Sequence, residues 1–168
     1  MQYSIGVEYA LHCLMYLIDL PAGASIGIKD LAKYQGVSET YLSKIFTKLA
    51  KAGIIRSMPG VKGGYQLARR SEGISFWDVV EAIEGSTPIF QCTEVRQNCV
   101  LLQDEEMPDY IKCTPCTINI VMLEAEQEMR RYLKEKSLAW LHEALKGKIP
   151  PERQEATSRW FQNALVQR

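Results

Sequence analysis

Apolar positions recur at helical spacing over residues 5–19, IGVEYALHCLMYLID, and the run stops ahead of Pro21 and Gly23, which predicts a first helix. A shorter helix is predicted from Lys29 to Gln35, ended by Gly36. Ser38 has the chemistry of an N-cap, and the helix it opens, 39–51, carries Leu42, Ile45, Phe46 and Leu49 in one core-facing stripe. Its opposite face shows Thr40, Tyr41, Lys44, Lys48 and Lys51. Two helices joined by the short turn Gly36-Val37 make a helix-turn-helix, with the second in the place of a recognition helix.

After Gly53 the period changes. Residues 54–58 and 65–69 read as short strands around Pro59-Gly60-Val61-Lys62-Gly63-Gly64, which turns the helix-turn-helix into a winged helix. In that reading the glycines let the wing backbone approach a phosphate and Lys62 supplies charge at the tip; the alternative is a plain surface hairpin. The glycine loop is no P-loop, because no Lys-Ser/Thr follows at the required spacing. A fourth helix, 75–84, packs through Phe76, Val79, Val80 and Ile83 and is stopped by Gly85. Residues 86–116 form a long loop, and a loop of that length in a compact chain is usually functional. From Thr117 to about Lys136 a long amphipathic helix places Ile118, Val121, Met122, Ala125, Met129 and Tyr132 on one side. Ser137 caps a further helix to about Lys146, and Pro150-Pro151 begin a last one through Leu165. The stripe on the long helix either packs against these last helices or forms a dimer seam. A lone winged helix covers only one half-site, which favours the seam. Trp77, Trp140 and Trp160 are core or interface anchors. The expected fold is mainly α with a small β-hairpin wing. Its parts are a winged helix-turn-helix domain at 1–85, a cysteine-containing sensor loop at 86–116, and a dimerisation helix with C-terminal helices at 117–168.

Charge sharpens this picture. The 168 residues carry 20 basic and 20 acidic side chains, and 46% are hydrophobic, which excludes a disordered chain. Between Lys29 and Arg70, however, nine bases face only Asp30 and Glu39, a local +7 that the remainder cancels. Such a block suits a phosphate-facing surface, although a solvated lysine-rich face has the same composition. No apolar run is long enough to span a bilayer, and Glu8 and His12 interrupt the only candidate signal segment. The expectation is a cytoplasmic protein without a membrane partner, whose cysteines need not be disulfides. No carboxylate pair, Ser/His/Asp set or nucleotide fingerprint suggests an enzyme.

Four of the five cysteines, Cys92, Cys99, Cys113 and Cys116, cluster in the loop, while Cys13 falls on the first helix as a small core residue. Cys113-Thr114-Pro115-Cys116 fits a zinc site, a reversible disulfide or a cluster. Glu8 and His12, four residues apart, share one helical face; they form either an ordinary surface pair or two ligands to one metal centre.

Several stretches together resemble the winged-helix regulators that include IscR, NsrR, RirA and RsrR. They are Gly6-Val7-Glu8-Tyr9-Ala10-Leu11-His12, Ser38-Glu39-Thr40-Tyr41-Leu42, Gly63-Gly64-Tyr65-Gln66-Leu67, Cys92-Thr93-Glu94 and the cysteine loop before a long helix. The resemblance covers nearly the whole chain. It implies a homodimer on a double-stranded DNA operator, regulating transcription in response to redox, nitric oxide or iron–sulfur status. The loop spacings, with six, thirteen and two residues between successive cysteines, do not reproduce the three-cysteine members. RsrR-like members are similar at Glu8 and His12. That implies a 2Fe–2S cluster held by Glu8 and His12 of one subunit and Cys113 and Cys116 of the other, with Cys92 in reserve. A cluster-free regulator using zinc or thiols, or no cofactor, is the alternative. The expected DNA-facing set is Ser38, Thr40, Tyr41, Ser43, Lys44 and Lys48 on the recognition helix, with Lys62, Gly63, Gly64 and Tyr65 in the wing. Pro59 stands where the family wing often begins Arg-Gly, which leaves Lys62 or Arg56 to carry the charge. Ser43 and Lys44 replace an acidic residue and an amide of IscR, so base preference should differ.

Overall fold

The computed structural model describes residues 3–21, 23–60, 63–102 and 106–166. They form two compact units: one spans 86–132, and the other combines the residues up to Gly85 with those from Leu133 on.

The second unit is the winged helix. Its elements are α1 (Ile5–Met15), α2 (Ile28–Gln35), α3 (Glu39–Lys51), the strands β1 (Ile55–Met58) and β2 (Gly64–Leu67), and α4 (Phe76–Glu84). The strands pair antiparallel with Ile55 opposite Leu67 and Met58 opposite Gly64. The anticipated fold class is therefore the observed one. The first helix is shorter than its apolar run predicts. After Met15 the chain closes tighter turns, with Tyr16 N–H on the Cys13 carbonyl (3.2 Å) and Leu17 N–H on Leu14 (3.1 Å).

The caps follow from local chemistry. Gly36 ends α2 in the left-handed region (φ 66°), which costs glycine nothing. Ser38 accepts the Tyr41 N–H and opens α3. Ser75 and Asp78 make a reciprocal capping box on α4. The stripe predicted on α3 is buried in full, and Phe46, Leu14, Leu31, Leu42, Leu49, Ile54 and Val79 are almost wholly out of solvent. Each such side chain contributes about 1.5–3 kcal/mol by leaving water.

α7 (Leu138–Lys146) and α8 (Pro151–Val166) join this body. Phe76 N–H donates to the Lys136 carbonyl and Leu138 N–H to Ile74, both at 2.8 Å, so α4 and α7 start side by side. α8 sets Trp160 and Phe161 against Tyr16 of the α1 turn and Tyr34 of α2, with ring centroids 4.8–5.0 Å apart. The Tyr34 and Thr157 hydroxyls lie 2.7 Å apart. Trp77 is buried, whereas Trp140 stays half exposed against Phe76 and the Lys136 ammonium.

The other unit holds short 3-10 turns at Val95–Asn98 and Val100–Leu102, then α5 (Asp109–Lys112) and most of α6 (Thr117–Glu135). Ile111 is its buried apolar side chain among the described residues. No helix among the described residues is long and apolar enough to cross a membrane.

Candidate nucleic-acid interface and cysteine loop

α3 projects its stripe of Leu42, Ile45, Phe46 and Leu49 inward, so the geometry of a 3.6-residue turn points Thr40, Lys44, Thr47 and Lys51 outward. Lys44 and Lys51 are exposed. Ser43 is half-buried, and its carbonyl accepts the Thr47 hydroxyl at 2.8 Å. The Ser38 hydroxyl is spent on the cap. Tyr41 and Lys48 lie on the flank of α3 that meets its neighbours. The Tyr41 ring stands edge-on to Tyr9 of α1 at 6.0 Å, and Lys48 Nζ donates to the Ile83 carbonyl of α4 at 2.6 Å. Of the polar residues expected to face DNA, these two also touch neighbouring helices, while both remain exposed.

The wing is organised the same way. Tyr65 packs edge-on to Phe46 at 4.9 Å, and its backbone exchanges hydrogen bonds with Ile26 at 2.8 and 3.0 Å. A Cβ on Gly64 would sit 2.5 Å from the Ile26 carbonyl oxygen, and one on Gly63 would sit 2.4 Å from that of Met58. These glycines are required by the wing's own backbone contacts. Lys62, expected at the tip, lies outside the described residues, while Arg56 is exposed on β1 opposite Gln66.

On α1, Ala10, Cys13 and Leu14 face the core and leave Glu8 and His12 exposed one turn apart. Neither side chain enters a hydrogen bond or ion pair among the described residues, so the surface ion pair that their spacing allows is not formed. A hollow of about 480 Å³ borders Glu8, lined also by Tyr3, Ser4, Ile5, Val7 and Leu11. Cys13 is buried, and burial pushes its thiol up to about 12.

In the loop unit the cysteines are unequal. Cys116 occupies the position before α6, where the backbone N–H groups of Asn119 and Ile118 and a hydrogen bond from Cys92 hold its thiol below the ordinary range, against partial desolvation. A backbone N–H of Glu94 favours the Cys92 thiolate, but desolvation and the negative charges of Glu94 and Cys116 outweigh it and raise that thiol. Cys92 and Cys116 therefore influence each other's proton, a link that spacing along the chain did not single out. Cys113 and Cys99 are exposed. Among the described residues, no three His, Cys, Asp or Glu side chains gather into one metal-binding group.

The loop is shaped by a residue that the sequence reading passed over. Arg96 pairs with Glu94 at 2.6 Å and donates to the carbonyls of Ile111, at 3.2 Å, and Thr114. Glu94 accepts this role in a left-handed conformation (φ 50°), which costs a non-glycine residue about 1–3 kcal/mol. Its other carboxylate oxygen lies 3.7 Å from the Cys92 sulfur. The only local signal was an acid and a base two residues apart, just after Cys92.

Comparison with known proteins decides the affiliation. Residues 3–144 match the family described as "Rrf2: Iron-dependent Transcriptional regulator". The chain belongs to the Rrf2 family of transcriptional regulators. It is 38% identical over 139 residues to the protein rrf2 of Nitratidesulfovibrio vulgaris, covering 83% of this chain and 85% of that one. It is 34% identical over 145 residues to the regulator NsrR of Geobacillus kaustophilus, covering 85% and 90%. The structure of Staphylococcus aureus CymR in its oxidised form superposes with a TM-score of 0.60 at 26% identity, covering 85% of this chain and 97% of that one. As an Rrf2 regulator the chain is a DNA-binding protein and not an enzyme. The α8 helix lies beyond the matched residues.

Proposed function

We propose that this Rrf2 regulator acts as a cytoplasmic homodimer whose hold on operator DNA is set by a 2Fe–2S cluster. The observation that carries the reading is the uncommitted Glu8–His12 pair, two exposed ligand-type side chains one turn apart, with Glu8 at the edge of an open hollow. Thiolate, imidazole and carboxylate donors suit such a group. Glu8 and His12 of one subunit would hold it together with Cys113 and Cys116 of the other, with Cys92, which influences the Cys116 thiol, as the reserve ligand. When bound, the cluster supplies one-electron redox chemistry whose potential a histidine ligand raises.

The chain's own residues supply the rest. Ile118, Val121, Met122 and Tyr132 leave an exposed apolar row on α6, 40–67% open, which is the surface for the second subunit. Dimerisation would set two α3 helices into successive major grooves about 34 Å apart. Thr40, Lys44, Thr47 and Lys51 would face the groove, and Lys44 and Lys51 would neutralise phosphates there. Anaerobic purification should yield a coloured dimer with near-equal iron and acid-labile sulfide, and His12→Ala should lower both. A protein still colourless after cluster reconstitution overturns this reading.

The lowered Cys116 thiol, favoured by backbone N–H groups and by Cys92, supports a second reading, a thiol switch without a cluster, with or without zinc. Two thiols would lose two protons and two electrons to a peroxide, which is reduced to water, and would leave a disulfide. Peptide mapping after peroxide treatment should then show Cys92 joined to Cys116. Under this reading, the DNA response to oxidant survives Glu8→Ala and His12→Ala.

A further inference from the structure

The last turn of α4 joins two neighbours through oppositely charged side chains. The final carbonyls of a helix have no partner within it, and that end carries partial negative charge. At the end of α4 the Ile83 carbonyl is taken by the Lys48 ammonium of α3 at 2.6 Å. The next residue, Glu84, reaches the opposite kind of helix end. Its carboxylate accepts the Ser4 backbone N–H at 2.9 Å and the Ser4 hydroxyl at 2.6 Å, at the start of α1. Ser4 makes no side-chain cap bond to its own helix, so Glu84 supplies the anion there. A cation therefore meets the negative end of α4 and an anion meets the positive end of α1, at consecutive residues. Gly85, at φ 86°, then turns the chain out of the helix.

From this geometry we infer that Lys48 and Glu84 form a two-sided lock holding α3 and α1 to the same end of α4, and that Lys48 is a positioning residue for the recognition helix and not a phosphate contact. Lys48 is exposed, as Lys44 is, but its ammonium is committed to the Ile83 carbonyl of α4, whereas Lys44 makes no hydrogen bond or ion pair among the described residues. The lock fixes the rotation of α3, on which base contacts depend more than phosphate contacts do. It also fastens the start of α1, four residues before Glu8, to the turn that holds the recognition helix. The inference needs only the family's DNA binding and stands whether or not a cluster is present.

The test uses the full-length protein and the duplex that it enriches most strongly from a randomised 30-base-pair pool, with a scrambled duplex as reference. Removing a phosphate contact lowers the slope of log affinity against log salt by about 1. Lys44→Met should do so. Lys48→Met should leave the slope at the wild-type value, yet weaken binding to the enriched duplex about tenfold and cut its preference over the scrambled one. Glu84→Gln separates the lock from simple charge, because removing a negative charge from a DNA-binding protein strengthens binding by long-range electrostatics. The lock predicts the reverse, weaker binding to the enriched duplex at an unchanged slope. A slope lowered by about 1 in Lys48→Met, or tighter binding in Glu84→Gln, overturns the inference.

Discussion

In the winged-helix unit, Phe46, Leu42, Leu49, Ile54 and Val79 are packed from all sides, and the helix ends are closed by Ser38, Ser75 and Ser137. In the unit spanning 86–132, Ile111 and the charged Glu126 are the deeply buried side chains among the described residues. Its order comes from individual polar bonds. Arg96 gathers Glu94 and two carbonyls, while Glu126 pairs with Arg130 and accepts the Ile89 N–H at 3.0 Å. Apolar burial is non-directional and shared among many residues, so the first unit tolerates the loss of a surface contact. A few directional bonds fix a conformation but leave it dependent on single residues. The first construction suits a body that keeps its shape on DNA, and under the proposed sensing role the second suits a segment that changes state.

The contrast is tested most severely by Phe46→Ala. This ring is fully buried and stacks edge-on with Tyr65 of the wing. Its removal should cost about 3–5 kcal/mol, read as a lower urea midpoint by far-UV circular dichroism. A loss below about 1 kcal/mol would mean that the wing and α3 are not held by a shared core. Gly64→Ala strikes the same unit at its backbone. The new methyl would meet the Ile26 carbonyl oxygen at 2.5 Å, so the wing must shift, at a cost of about 2–3 kcal/mol and with weaker DNA binding.

Arg96→Ala probes the other unit. It strands the carbonyls of Ile111 and Thr114 and leaves Glu94 in its left-handed conformation without its cation. The local cost is about 1–3 kcal/mol. Hydrogen exchange over 92–114 should accelerate, while the urea transition of the winged helix stays in place. Equal acceleration in α1–α4 would erase the distinction between the two modes of construction.

The same distinction governs what the sequence reveals. The α3 stripe, the Ser38 and Ser137 caps and the two wing strands are all read from neighbours within a few positions, because periodicity and capping are local physics. Tyr41 and Lys48 show the limit of that reading. A helical wheel marks them as polar and outward, and both are exposed, but it does not show that Tyr41 also meets Tyr9 of α1 and Lys48 the Ile83 carbonyl of α4. The wing glycines also stand where expected, for a reason found only in three dimensions: Ile26 comes from before α2 to bridge Tyr65. The influence of Cys92 on the Cys116 thiol spans much of the loop, and no spacing rule connects them. Nor does any pattern within 133–166 announce that α7 and α8 join the winged helix, since aromatic faces such as Trp160-Phe161 specify burial without naming a partner.

The smallest effect concerns the cysteines, which divide along the same line. Cys13 sits in the apolar core, whereas Cys116 sits at a helix start that favours its thiolate. Burial raises the Cys13 thiol from 9.0 to about 12. Below pH 9 this thiol is neutral in both folded and unfolded chains and has no effect on the balance. Between pH 9 and 12 the unfolded chain releases the proton and the folded one retains it, so stability falls as pH rises, by about 1.4 kcal/mol per unit. Urea titrations at pH 8.5, 9.5 and 10.5 should show that decline in the wild type and a shallower one in Cys13→Ala. At pH 8, iodoacetamide should modify Cys116 in the folded protein and spare Cys13 until urea exposes it. Rapid modification of Cys13 without urea would show that α1 opens readily, and would place the core of the winged helix among the mobile parts of the molecule.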